Sequence, residues 1–120
     1  MAFSFTENGK AQDWINLVLA IFLFLSPWLV GFAAEVNPAW NAWLMGAAMG
    51  IISLAALYAF AEWEEWVNGA LGLWLIVAPW ILGFTASMNA MWTHVAIGAL
   101  VVLVSAWGVW TARHEPHAHA

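Results

Sequence analysis

The side chains able to do chemistry are few and scattered. His94 is the one ionisable group inside an otherwise uncharged stretch, Met91 to Ala112. Ionisable groups within membrane-type helices are function candidates by default. An imidazole there offers an axial ligand to a haem or chlorophyll magnesium, or a proton relay. Against this, His94 stands near the end of its stretch with no second ligand in view, which fits an interfacial or simply hydrogen-bonded histidine. His114, His117 and His119, with Glu115, form a short His-rich tail. Such tracts hold Zn, Ni or Cu weakly, but the spacing matches no zinc signature, and Pro116 favours a solvated tail. Glu62, Glu64 and Glu65 read as a solvated connection or as a docking patch for a basic partner. No paired buried carboxylates and no nucleophile beside a base are evident, so no catalysis is expected.

Composition sets the solvent. Apolar residues make 65% of the chain and charged residues 8%, against roughly a quarter charged in ordinary globular proteins. A bundle of 120 residues cannot cover such a core with so few charges, so lipid must bathe most of it. The net charge of −5, with only Lys10 and Arg113 basic, excludes a phosphate-binding footprint and hence nucleic acid. It also excludes a polybasic surface for anionic lipid heads. The chain has no cysteine, which removes disulfides, thiolate metal sites and thiol nucleophiles.

The elements that position these groups come from a duplication. DWINLVLAIFLFLSPWLVGF, from Asp13 to Phe32, recurs 52 residues later as EWVNGALGLWLIVAPWILGF, from Glu65 to Phe84. The register continues through Asn37 and Asn89, Trp40 and Trp92, Gly46 and Gly98, and Ser53 and Ser105. A signal peptide is not expected at the first copy, because its uncharged run exceeds a signal core of about 7–15 residues and recurs in mid-chain. The run from Trp14 to Ala34 would span about 31 Å as a helix, matching a bilayer core of roughly 30 Å. The expected organisation is a polar arm over 1–12, repeat 1 over 13–61 (spans 14–34 and 39–61), and an acidic loop over 62–65. Repeat 2 follows over 66–112 (spans 66–86 and 91–112), then a tail over 113–120. This is an all-α membrane protein of four transmembrane helices. Two spans per repeat leave both repeats facing the same way, related by a pseudo-twofold axis along the membrane normal. The two basic residues then place both termini in the cytoplasm of a cell with an inner membrane, by the positive-inside rule.

Ser26-Pro27-Trp28 and its variant Ala78-Pro79-Trp80 lie in the first span of each repeat, after Trp14-x-Asn16 and Trp66-x-Asn68 and before Gly31-Phe32 and Gly83-Phe84. This resembles the SPW repeat family of small bacterial and archaeal membrane proteins. The resemblance covers roughly residues 13–112. It implies a membrane location and a duplicated two-helix unit, and no activity. Ala78 departs from the motif, so the serine hydroxyl is not required in both copies.

Individual residues read as follows. Pro27 and Pro79 remove a backbone donor and free the carbonyls of Leu23 and Leu75, giving either a bend that shapes the bundle or a broken-helix ligand site. Ser26 can answer its own kink. Most of the eleven tryptophans suit an interfacial belt: Trp14, Trp63, Trp66 and Trp110 inside, Trp40, Trp43 and Trp92 outside. Trp28, Trp74 and Trp80 sit deeper, to pack between helices or to line a cleft. Asn16 and Asn68 are suited to hydrogen bonds between helices. Ser53 and Ser105 can bond back to their own helices. Gly46 and Gly50 form a GxxxG for packing within the bundle, or for a homodimer or partner face. The function expected is an accessory or scaffold subunit, with lipid, other membrane subunits or a second copy as partners and no cofactor. The alternative is a binding module for a lipid, quinone, carotenoid or chlorin, through Trp28, Trp74, Trp80 and His94.

Overall fold

The computed structural model describes residues 10–59 and 62–114. Among them the chain is helix and turn. The order is α1 (Lys10–Ser26), a π-helical turn (Pro27–Gly31), α2 (Val36–Tyr58), α3 (Glu62–Ile81) and α4 (Met88–His114). α1 packs chiefly on α2 and α3 on α4, and the two hairpins join through α1 against α4 and α2 against α3. The bundle is 45 Å long.

Three stretches are long and apolar enough to cross a bilayer: Ala11–Gly31, Val36–Tyr58 and Met88–His114. α3 has 20 residues, but its first turn holds Glu62, Glu64 and Glu65. Residues 62–65, expected as a connecting loop, are thus the start of a helix. Acidic side chains suit that place because the unpaired amides of a helix N-terminus carry partial positive charge. α4 likewise starts at Met88, within the turn expected over 87–90, where Met91 N–H bonds the Ser87 carbonyl at 2.8 Å.

Both proline-containing stretches end earlier than the apolar runs suggest, and for the same reason. Phe32 N–H reaches back to the Pro27 carbonyl at 2.8 Å, and Phe84 N–H to that of Pro79 at 2.9 Å. Between them Gly31 and Gly83 adopt φ of 96° and 77°. A six-to-one bond around a left-handed glycine is a Schellman ending, which satisfies carbonyls that the last turn would leave bare. The Gly-Phe after each Pro-Trp is therefore the helix stop, and both phenylalanines turn into the core.

Lipid supplies no hydrophobic drive between helices, so close backbone packing must do the joining. A Cβ on Gly46 would lie 2.8 Å from the Phe24 amide nitrogen, and one on Gly98 would lie 2.6 Å from the Gly72 carbonyl oxygen. Each hairpin is drawn together at the same point of its sequence. Leu23, Phe32, Met49, Leu75, Phe84, Ile97 and Val101 fill the centre. Val18, Ile51, Leu73 and Leu103 face outward, one from each helix.

Candidate functional site

The first turns of α1 and α3 bring together two residues at the same position of the duplicated sequence, Asp13 and Glu65. Each side chain is only 1% exposed, and the two carboxyls lie close enough to influence one another. The expectation of no paired buried carboxylates is corrected here. Those acids sit where the chain enters its helices, and burial there is made by small neighbours: a Cβ on Gly108 would lie 2.9 Å from Glu65 Oε1. Apart from this mutual contact, none of the four carboxyl oxygens has a hydrogen-bond donor. Arg113 does not answer them. It is exposed, and its guanidinium pairs with Glu62 at 2.8 Å.

One turn deeper lies a layer of amides and hydroxyls. Asn16 Nδ2 donates to Ser105 Oγ at 3.3 Å, and Asn68 Nδ2 donates to Ser53 Oγ at 3.2 Å. These are the same bond made twice, each crossing from one hairpin to the other. Ser53 and Ser105, read as bonding back to their own helices, receive these amides. The Oδ1 atoms of both asparagines are buried without a donor. Nearer the mouth, Gln12 Nε2 reaches Thr111 Oγ1 at 3.4 Å.

The opposite end of the bundle is tied by a second reciprocal pair. Asn37 Nδ2 donates to the Leu82 carbonyl at 3.2 Å, and Asn89 Nδ2 to the Val30 carbonyl at 3.1 Å. The start of α2 and the start of α4 thereby each cap the proline-ended helix of the other hairpin. Ser26 Oγ donates to the Leu23 carbonyl at 2.7 Å, the group that Pro27 leaves free; Ala78 has no such hydroxyl.

His94 is fully buried within the bundle and hydrogen-bonded, as one of its two readings expected. Its Nδ1–H donates to the Ala90 carbonyl at 2.8 Å. Its ring lies 4.8 Å from Phe84 and 6.0 Å from Phe32, centroid to centroid. Nε2 is buried without a partner.

The deep tryptophans do not converge. Trp28 packs on Trp43 at 5.2 Å, and Trp43 on Trp40 at 5.2 Å. Trp74 Nε1 donates to Asn41 Oδ1 at 2.9 Å, and Trp80 is exposed on the outside. Of the GxxxG pair, Gly46 lies in the α1 contact, while Gly50 makes only ordinary contact with Ala20. Trp14 is half-buried on α1. His114 ends α4 with Nδ1 bonded to the Trp110 carbonyl at 2.9 Å; His117 and His119 lie outside the described residues. Among the described residues no group of three His, Cys, Asp or Glu is placed to hold a metal.

Asp13 escaped the sequence reading as a site residue, although a signal was present. The repeat register sets Asp13 on Glu65, and each stands three residues before an asparagine, on one helix face.

Apolar helices of spanning length, with polar groups turned inward to pair across hairpins, define a multi-pass membrane protein in contact with lipid. Its sequence matches the SPW repeat domain over residues 10–108, and the chain belongs to that family. Neither the curated proteins nor the solved structures contain a match to it.

Proposed function

We propose that this protein is a four-span accessory or scaffold subunit of a larger inner-membrane assembly, without catalysis of its own. The carrying observation is the division of its surface: all four helices present large apolar side chains outward, while the buried amides and hydroxyls bond one another across the hairpins. Such a body suits packing against lipid and other spans. α3 is the fourth span; at 20 residues it reaches about 30 Å, the thickness of a bilayer core. The two hairpins form a tandem repeat around a pseudo-twofold axis along the membrane normal. The bonds that recur with a 52-residue shift support that arrangement. Both termini face the cytoplasm, which rests on the placement of Lys10 and Arg113.

Gentle extraction from native membranes tests this reading. A stoichiometric membrane protein should co-purify with the chain and be lost when outward residues such as Leu103 are changed to Ala. Recovery of the chain alone under crosslinking conditions would overturn it.

A further inference from the structure

A groove of about 530 Å³ runs between α3 and α4 at the end of the bundle that holds Glu65. It is the roomier of two inter-helix grooves, and the second repeat is small there where the first is large. Gly69 and Ala106 line it, and the first repeat carries Leu17 and Leu54 at those positions. A groove also lies between α1 and α2, but it is lined by Leu17 and Leu54 and does not include Asp13. The α3–α4 groove ends on Glu65, whose buried carboxyl has acceptor capacity that no donor fills beyond Asp13.

Two indoles stand at its mouth, and both are fixed. Trp66 Nε1 donates to Glu62 Oε2 at 2.9 Å, and the same oxygen is held by Arg113. Trp110 stacks on His114 at 4.5 Å with 21° between the rings. Held aromatic walls around a narrow apolar slot favour a flat head. The charge at the mouth selects further. Glu65 lines it with Asp13 close behind, Glu62 holds the rim residue Trp66, and Arg113, which also lines the groove, is already paired to Glu62. An anionic phosphate head is repelled there, whereas an uncharged hydroxyl can donate to a carboxyl. The volume falls within the 300–1,000 Å³ or so usual for small-molecule sites.

We propose that this groove binds an amphiphile with a flat, uncharged, hydroxyl-bearing head on a single hydrocarbon tail, the chemistry of a quinol, whose hydroxyl donates to the carboxyl of Glu65. The tail lies along Gly69 and Ala106 toward the bilayer centre. This goes beyond the scaffold reading and does not depend on it.

The test uses the full chain in phosphatidylcholine nanodiscs, titrated anaerobically with a short-tailed benzoquinol and followed by tryptophan fluorescence. Saturable quenching is expected. The dimethyl ether of the same quinol, which lacks the donor, should bind at least about tenfold more weakly, as loss of a hydrogen bond to a carboxyl implies. Gly69→Leu with Ala106→Leu, the residues of the first repeat, should abolish saturation. Where that variant does not fold, Ala106→Leu alone, at an exposed position, should weaken binding. Equal affinity for the dimethyl ether, unchanged affinity in the filled groove, absence of saturation, or displacement by equimolar phosphatidylglycerol would overturn the proposal.

Discussion

The carboxyl of Asp13 meets the carboxyl of Glu65, its counterpart in the second copy of the sequence, and no base stands between them. Like charges in contact repel one another in a site closed to water. Removing one of the two acids should relieve their repulsion. Asp13→Asn, which supplies an amide donor in place of a carboxylate, should raise the melting temperature in detergent. A lowered melting temperature would refute a mutually repelling pair.

The reciprocal amide bonds make a quantitative expectation. Asn16→Ala and Asn68→Ala should each cost about 0.6–2 kcal/mol, measured by unfolding in mixed detergent. Double-mutant cycles should show coupling between Asn16 and Ser105 and between Asn68 and Ser53. Asn16 with Ser53 should be additive, because no bond joins them.

Glycines at two kinds of position should respond differently. A Cβ at Gly31 or Gly83 meets nothing within 4 Å, so Gly→Ala there costs only the left-handed backbone, about 1–2 kcal/mol. At Gly46 or Gly98 the backbone conformation is ordinary, but the Cβ would overlap the facing backbone. Those variants should separate α1 from α2, or α3 from α4, which cysteine crosslinking yields across each pair would register.

Ser26 serves the carbonyl that Pro27 exposes. Ser26→Ala should cost about 1 kcal/mol in the natural background, as a lost net hydrogen bond does. In a Pro27→Ala background it should cost little, because the restored backbone donor occupies the Leu23 carbonyl. Equal costs in both backgrounds would separate the hydroxyl from the proline.

Orientation can be read directly. Cysteines placed singly at positions 10 and 113, in a chain with none of its own, should react with impermeant maleimide from the cytoplasmic face alone. Labelling from outside would invert the proposed topology.

Much of the helical framework was legible because its physics is local. Uncharged runs and a register shared by Trp14 and Trp66 announce helices and their pairing. Helix ends were less legible. The apolar run continues past Gly31, but the left-handed glycine stops the helix there, and nothing in hydropathy distinguishes it from a glycine inside a span. The acidic stretch misled for a related reason. Charge reads as solvent, yet Glu65 is buried because Asp13 and Gly108 come from distant parts of the chain to meet it. The hydrogen bond of His94 was foreseen, but its enclosure by Phe32 and Phe84 was not, because that is a tertiary event. The α3–α4 groove depends on a difference between the copies, Gly69 for Leu17 and Ala106 for Leu54, that a search for sameness passes over.

The asparagines at the starts of α2 and α4 carry one more implication. Asn37 seals the end of α3, and Asn89 seals the end of the first proline helix, so each half finishes the other's backbone. Expressed as two fragments, the halves should be degraded singly and rescue one another when made together. A single hairpin would leave its proline-ended helix uncapped unless a second copy supplied the asparagine.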